Sequence, residues 1–199
     1  MSDTRAQLLA LLARKSFRLG KFKLSSGGES DYYIDCRTTT LDAVGSRLTG
    51  ETFLDEIRTR RWDVVAAGGL TLGADPIAVS MAVLSGGKVH AFLVRKAEKA
   101  HGTGQRIEGF REKGARVVIV EDVCTTGGST IQALQAAREI GFHVVGVICL
   151  VDREEAGGRA NVERAASPAP FVAIFTARDL RDEYLKQQQR IAASGDRVN

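Results

Sequence analysis

Glu121 and Asp122 stand side by side at the end of the apolar run Arg116–Val120; Val123 and Cys124 follow, and the chain then reads Thr125-Thr126-Gly127-Gly128-Ser129-Thr130. An apolar strand leading into a helix that begins at Ser129 makes Glu121–Gly128 a turn from a strand's carboxyl end to a helix's amino end. Such a turn directs unpaired backbone N–H groups and the positive end of the helix dipole at an anion. Gly127 and Gly128 let the backbone approach closely, and the hydroxyls of Thr125, Thr126 and Ser129 add donors. The pattern suits a phosphate. No lysine follows the glycines as GxxxxGK[ST] requires, and GxGxxG is absent, so a triphosphate loop and a dinucleotide fold are both disfavoured.

Two carboxylates beside a monophosphate repel it unless something hydroxylated or positive lies between. A ribose meets that need. Its hydroxyls donate to the carboxylates, and its anomeric carbon becomes cationic when a leaving group departs from C1. The order of residues therefore reads ribose first and 5-phosphate second. The plainer alternative makes the acids a solvated strand end and TTGG an ordinary helix cap; the whole string of apolar strand, acid pair and TTGGS is more specific than either part.

The elements that must position these residues are legible around them. The runs WDVVAA, KVHAFLV, ARVVIV, HVVGVICLV and FVAIFT do not alternate, and helical stretches such as PIAVSMAVL and STIQALQAAREI lie between them. This predicts an α/β fold, doubly wound, with a mostly parallel sheet and helices on both faces. Thr4 and Gln7 form a capping box ahead of a leucine-rich helix, and FRLGKFKLSSGGESDYYIDCR reads as a hairpin or two short strands. Leu41, Val44, Leu48, Phe53, Leu54 and Ile57 keep helical spacing. Thr176 with Asp179 caps a last helix whose buried side carries Leu180, Tyr184 and Leu185, with a frayed polar tail after Gln187. Residues 1–40 are expected to be a small addition to a single domain spanning 1–199. The charged, glycine-rich segment 95–110 falls at a strand's end, where open α/β sheets place ligands, and reads as a mobile lid.

Composition narrows the partners. A chain of 199 residues with 44% hydrophobic content buries one domain-sized core. Neither a secretory signal nor an apolar run near the roughly 20 residues of a spanning helix is present, so a soluble protein is expected. Cys36, Cys124 and Cys149 lie far apart with no metal or disulfide spacing, which fits a reducing cytoplasm. The formal charge of +4 favours an anionic partner. The basic residues are scattered among acids with no aromatic-interleaved stripe, so a phosphorylated small molecule is expected, and neither nucleic acid nor membrane.

VVIVEDVCTTGGS resembles the phosphoribosyl pyrophosphate (PRPP) binding motif of the type I phosphoribosyltransferases. FKLSSGGESDYYID, GGLTLGADPIA, RKAEKAHG and LVDREE resemble, in order, further segments of the orotate phosphoribosyltransferases, so the resemblance covers most of the chain. It implies transfer of a phosphoribosyl group from PRPP to orotate, giving orotidine 5'-monophosphate and pyrophosphate in pyrimidine synthesis. Mg2+ is expected as cofactor, held mainly through PRPP and water and not by a protein metal site. A homodimer is implied, with the lid shared between subunits.

Carried over by resemblance, Arg95, Lys96, Lys99 and His101 grip the pyrophosphate, and Gly102 and Gly104 allow closure. Glu121 and Asp122 hold the ribose, and with Lys99 and His101 make up the implied catalytic set. Val123, Cys124, Thr125, Thr126, Gly127, Gly128 and Ser129 form the 5-phosphate loop. Arg153 matches the arginine that pairs with the orotate carboxylate, with Thr125 beside the base. Tyr33 and Ile34 match positions near the orotate ring, and Thr71 and Leu72 the small loop near the pyrophosphate; for these four, core packing and ligand contact both stay open. The chain departs from many bacterial members in carrying Ser25 and Leu72 where they carry lysine. Two other readings remain: a phosphoribosyltransferase for another base, or a PRPP-binding regulator without turnover.

Overall fold

The computed structural model describes residues 2–23, 29–97 and 106–195. Helix α1 (Asp3–Lys15) turns Leu8, Leu11 and Leu12 inward on one stripe. Its cap is Ser2, whose hydroxyl accepts from Arg5 N at 3.4 Å, so the expected Thr4–Gln7 box is not formed. Thr4 lies inside the helix, and Gln7 Nε2 donates to Asp3 Oδ2 at 2.7 Å. Strands β1 (Phe17–Lys23) and β2 (Glu29–Ile34) form an antiparallel ladder from Phe17 opposite Ile34 to Lys23 opposite Glu29. A short helix, α2 (Arg37–Thr40), leads to α3 (Ala43–Thr59), capped by Asp42 Oδ1, which accepts from Val44 N and Gly45 N. Leu48, Phe53 and Ile57 are buried as their spacing predicts. Leu41 and Val44 are not: they sit beside the cap, facing away from the core, 71% and 54% exposed.

The remaining elements are β3 (Ala66–Leu70), α4 (Asp75–Leu84), β4 (His90–Val94), β5 (Ile107–Gly109), β6 (Arg116–Cys124), α5 (Gly128–Glu139), β7 (His143–Asp152), α6 (Gly158–Ala166), β8 (Phe171–Thr176) and α7 (Ala177–Gly195). The main sheet has the order β5-β4-β3-β6-β7-β8, parallel throughout except for β5 against β4. Strand β6 puts Val118 and Val120 into the core beneath α1, α3, α4 and α7, and Val117 and Ile119 into the core beneath α5 and α6. Alternation across a strand thus feeds two cores, the doubly wound arrangement the unbroken apolar runs predict. The N-terminal helix and hairpin join the first of these: Phe17 lies 5.5 Å from the rings of both Tyr32 and Tyr184.

Thr176 and Asp179 cap α7 reciprocally, as expected. Helix α7 continues beyond Gln187 to Gly195, so the expected frayed tail is helical as far as the structure describes it. Three elements lie outside the sequence expectation: the short helix α2, the edge strand β5 and helix α6. In the β6–β7 ladder the register shifts between Val117 and Val118, whose partners are Val144 and Gly146.

Candidate active site

The chain runs outward from β3 in one direction, through β4 and β5, and then crosses to β6 on the other side. The carboxyl ends of β3 and β6 therefore flank the point where the winding reverses, the place where open α/β sheets bind ligands. Strand β6 does not stop at Val120. It stays paired with β7 as far as Cys124 opposite Asp152, so Glu121 and Asp122 are strand residues and the turn proper is Thr125–Gly127. Helix α5 starts one residue earlier than expected, at Gly128. Its cap residue Gly127 has φ +82°, and a Cβ there would meet Val162 Cγ2 at 2.6 Å, so only glycine fits. No side chain caps the helix. Gly128 N makes a long hydrogen bond to Thr126 Oγ1 at 3.4 Å, and the next N–H groups of the first turn, beside the Ser129 hydroxyl, face outward as an anion site in form.

Because neighbouring strand residues face opposite ways, the two acids meet different surroundings. Glu121, 4% exposed, turns to the α5 side and accepts from Thr130 Oγ1 at 2.9 Å. Burial first and the Asp122 charge second push its carboxyl up to about 8, against the pull of the Thr130 hydroxyl. Asp122 turns to the β3–α4 turn, where a Cβ on Gly73 would run into its carboxylate. Burial raises its pKa too, opposed by hydrogen bonds that include Val123 N to Oδ1 at 2.8 Å and by the positive charge of Arg37. Two buried acids side by side hold a proton between them until something positive or hydroxylated arrives.

Across the cleft, Arg153 follows β7 directly and is only 7% exposed. Its guanidinium lies over the Tyr32 ring, 4.6 Å from the centroid, and Nη2 donates to Ser30 Oγ and Glu155 Oε2, both at 3.2 Å. Tyr32 Oη donates to Glu155 Oε1 at 2.5 Å, closing the group, while Arg153 Nε is buried without a hydrogen-bond partner. Burial, then that hydrogen bond, lifts the Tyr32 phenol to about 12, so it remains a donor. A cleft of about 290 Å³ joins Arg153 to both acids, to Thr125 and Ser129, and to the turn Thr71–Gly73, in which a cis peptide links Thr71 and Leu72.

Residues 57–162 match the phosphoribosyl transferase domain family, a stretch that contains β3 to β7 with both acids, the phosphate turn and Arg153. The chain is 47% identical over 174 residues to the orotate phosphoribosyltransferase of Streptomyces avermitilis, covering 86% of this chain and 93% of that protein. The chain belongs to the orotate phosphoribosyltransferase family. The orotate phosphoribosyltransferase of Thermosynechococcus vestitus is 44% identical over 191 residues, 94% of this chain and 97% of the relative. The crystal structure of Mycobacterium tuberculosis H37Rv orotate phosphoribosyltransferase in complex with PRPP superimposes with a TM-score of 0.72 at 36% identity, covering 89% of this chain and 98% of that one.

For an orotate phosphoribosyltransferase the expected residues gather well. Ile34, Thr71, Leu72, Lys96, Glu121, Asp122, Val123, Thr125, Ser129 and Arg153 all line the one cleft. Cys124 is buried among the apolar side chains under α5, so it can offer a ligand only its backbone. Arg95 pairs with Glu108 on β5 at 3.1 Å and does not line the cleft. Tyr33 stands on the face of β2 opposite Tyr32 and Ile34, tilted against Phe22 at 5.5 Å, so the structure does not bring it to Arg153. Ser25, Lys99, His101, Gly102 and Gly104 lie outside the described residues. Sequence reasoning missed Tyr32, Asp35, Arg37 and Glu155. The parity of β2 could have flagged Tyr32, which shares a face with Ile34; Asp35, Arg37 and Glu155, all ion-paired, look in sequence like ordinary surface charges.

Proposed function

We propose that this protein transfers the 5-phosphoribosyl group from PRPP to orotate, releasing orotidine 5'-monophosphate and pyrophosphate for the synthesis of UMP. One observation carries the reading: the acid pair beside the amino end of α5 shares a cleft with a buried arginine that keeps an unpaired N–H. The amino end of α5 takes the 5-phosphate and fixes the sugar. Glu121 and Asp122 accept from the ribose hydroxyls and favour the positive charge that grows at C1 as its bond to pyrophosphate breaks. The Arg153 fork receives the orotate carboxylate and turns N1 of the ring toward C1, where the new C–N bond forms as the bond to pyrophosphate breaks and the N1 proton passes to the departing pyrophosphate. Uracil has no carboxylate, so it leaves the buried Arg153 Nε without an acceptor and is rejected. Lys96, which lines the cleft, closes with Lys99 and His101 over the departing pyrophosphate and excludes water, and Arg95 joins them only by leaving Glu108.

Magnesium fits this site as a cation carried in with PRPP and water. Asp122 offers a carboxylate to the cleft, while both Asp35 oxygens are taken by Arg37. When bound, Mg2+ neutralises the pyrophosphate oxygens on which charge builds. A homodimer is supported by an open apolar hollow of about 850 Å³ beside the cleft, which shares Arg37 and Leu72 with it and includes Leu41 and Val79. Val83, on the exposed side of α4, is 76% exposed. A second copy would cover this surface, in keeping with a lid shared between subunits. A cytoplasmic location is supported by three free, buried cysteines, and no described helix is long and apolar enough to cross a membrane.

The experiment is direct. Purified protein with PRPP and Mg2+ is offered orotate, uracil, adenine or hypoxanthine, and orotate loss is followed by its ultraviolet absorbance. Loss of orotate alone, dependent on both PRPP and Mg2+, is expected. If PRPP binds and no base is consumed, a regulator without turnover replaces the enzyme reading.

A further inference from the structure

Arg37 has no role in any of the steps above, yet its geometry is that of a ligand-binding group. It opens α2, and Asp35 clamps it three times: Nε donates to Oδ1 at 2.8 Å, Nη2 to Oδ2 at 2.9 Å, and the Arg37 backbone N–H to Oδ1 at 3.1 Å. A long side chain tied to one carboxylate through both backbone and head loses its rotamer freedom before any ligand arrives. The side chain is still 46% exposed, and Nη1 makes no hydrogen bond among the described residues. The fork is held and left half-used.

Its location narrows what it can hold. In the cleft, Arg153 is committed to the base end by Ser30 and Glu155, and the amino end of α5 serves the phosphate end. The third wall is made by α2 and the turn Thr71–Gly73, facing Asp122. There Leu72 exposes an apolar side chain, so the turn itself contributes backbone donors and no side-chain charge. A diphosphate leaving C1 past Asp122 on the β3 side meets Arg37 as the guanidinium on that wall. Asp122 and Arg37 already act on each other electrostatically in the free protein, so the held guanidinium stands within reach of a polyanion that passes the sugar-holding acid.

We infer that Arg37 is a further substrate-binding residue whose guanidinium pairs with the pyrophosphate group of PRPP, and that Asp35 is the positioning residue that aims it. This rests on the reading of the cleft as a PRPP site. The test compares the parent protein with Arg37→Gln, Arg37→Lys and Asp35→Asn, using calorimetric titration with pyrophosphate and Mg2+ alongside steady-state kinetics and melting temperature. Loss of a charge-assisted contact predicts that Arg37→Gln weakens pyrophosphate binding and raises the PRPP KM by about tenfold or more. The orotate KM should stay within about twofold, with part of the loss restored in Arg37→Lys. Asp35→Asn should show a smaller loss of the same kind.

Unchanged pyrophosphate binding in Arg37→Gln would overturn the inference, as would an equal loss for orotate and PRPP, or a fall in melting temperature that accounts for the loss. The parent separates this failure from that of the underlying reading: if it consumes orotate while Arg37→Gln binds pyrophosphate normally, only the role of Arg37 falls.

Discussion

Arg153→Lys isolates what the guanidinium fork contributes beyond its charge. In the free protein Arg153 Nε is buried without an acceptor, while Nη2 is shared between Ser30 and Glu155. A buried donor left unpaired costs about 1–3 kcal/mol, and the orotate carboxylate recovers that on binding. A lysine keeps the positive charge, can still lie over Tyr32 and can still reach Glu155, but it has no Nε–H on a planar fork. Losing one such bond to a carboxylate is worth roughly 2–3 kcal/mol, or about 30- to 150-fold in kcat/KM for orotate. The PRPP KM should stay within about twofold, since the sugar and phosphate contacts lie on β6 and α5, and preference for orotate over uracil should narrow. Initial rates at varied orotate with saturating PRPP, then the reverse, give both constants. A fall below about threefold in orotate kcat/KM, or an equal rise in the PRPP KM, would refute the argument.

The raised pKa of the acid pair makes PRPP binding proton-linked. With the Glu121 carboxyl raised to about 8 by burial and the Asp122 charge, binding that needs it ionised releases a proton at pH 7, measurable by calorimetry in buffers of different ionisation enthalpy. PRPP affinity should therefore rise with pH and level off above about 8. Thr130→Val removes the hydroxyl that favours the ionised form and should move that plateau to higher pH. For stability the sign is opposite: the folded state holds a proton that an unfolded glutamate gives up near 4.5, so this group's contribution falls as pH rises from there to about 8, as urea midpoints across that window will report. Gly73→Ala places a methyl against the Asp122 carboxylate and should lower kcat/KM for PRPP by about tenfold or more, since displacing a group by an ångström misaligns the sugar it holds. Val83→Glu on the exposed side of α4 should shift the protein toward monomer in sedimentation velocity while leaving its melting profile cooperative.

Much of this site was legible because its chemistry is written into one contiguous string. The residue types from Glu121 to Ser129 specify acids, hydroxyls, glycines and a helix start, and the structure places them along the end of β6 and the start of α5. What the string did not disclose was where the strand ends. Acids favour turns locally, but β7 continues to pair with β6 through Cys124, and that tertiary pairing keeps Glu121 and Asp122 extended. The same limit hid β5, three residues long and defined by β4, and α6, whose inward side rests on little more than Val162 and Ala166. Tyr33 was chosen over Tyr32 because resemblance aligns positions without regard to parity, whereas the strand assigns the two rings to opposite faces. Leu41 and Val44 kept helical spacing yet lie outside, since periodicity does not distinguish a core from a face left for another surface.

The shift in the β6–β7 register sets the phase of the whole site from the far end of the sheet. One extra residue, Val145, enters β7 between the partners of Val117 and Val118, and every later pairing is advanced by one. Asp152, not Val151, consequently stands beside Cys124, with Arg153 the next residue out. The residue at the shift is Gly146, where any Cβ would strike the Trp62 ring, so the frame in which sugar and base meet is indexed by a packing contact at the opposite edge of the fold. The side chains beyond Asp152 can therefore vary to read other bases while the sugar-holding strand keeps its place, so long as that distant index is kept.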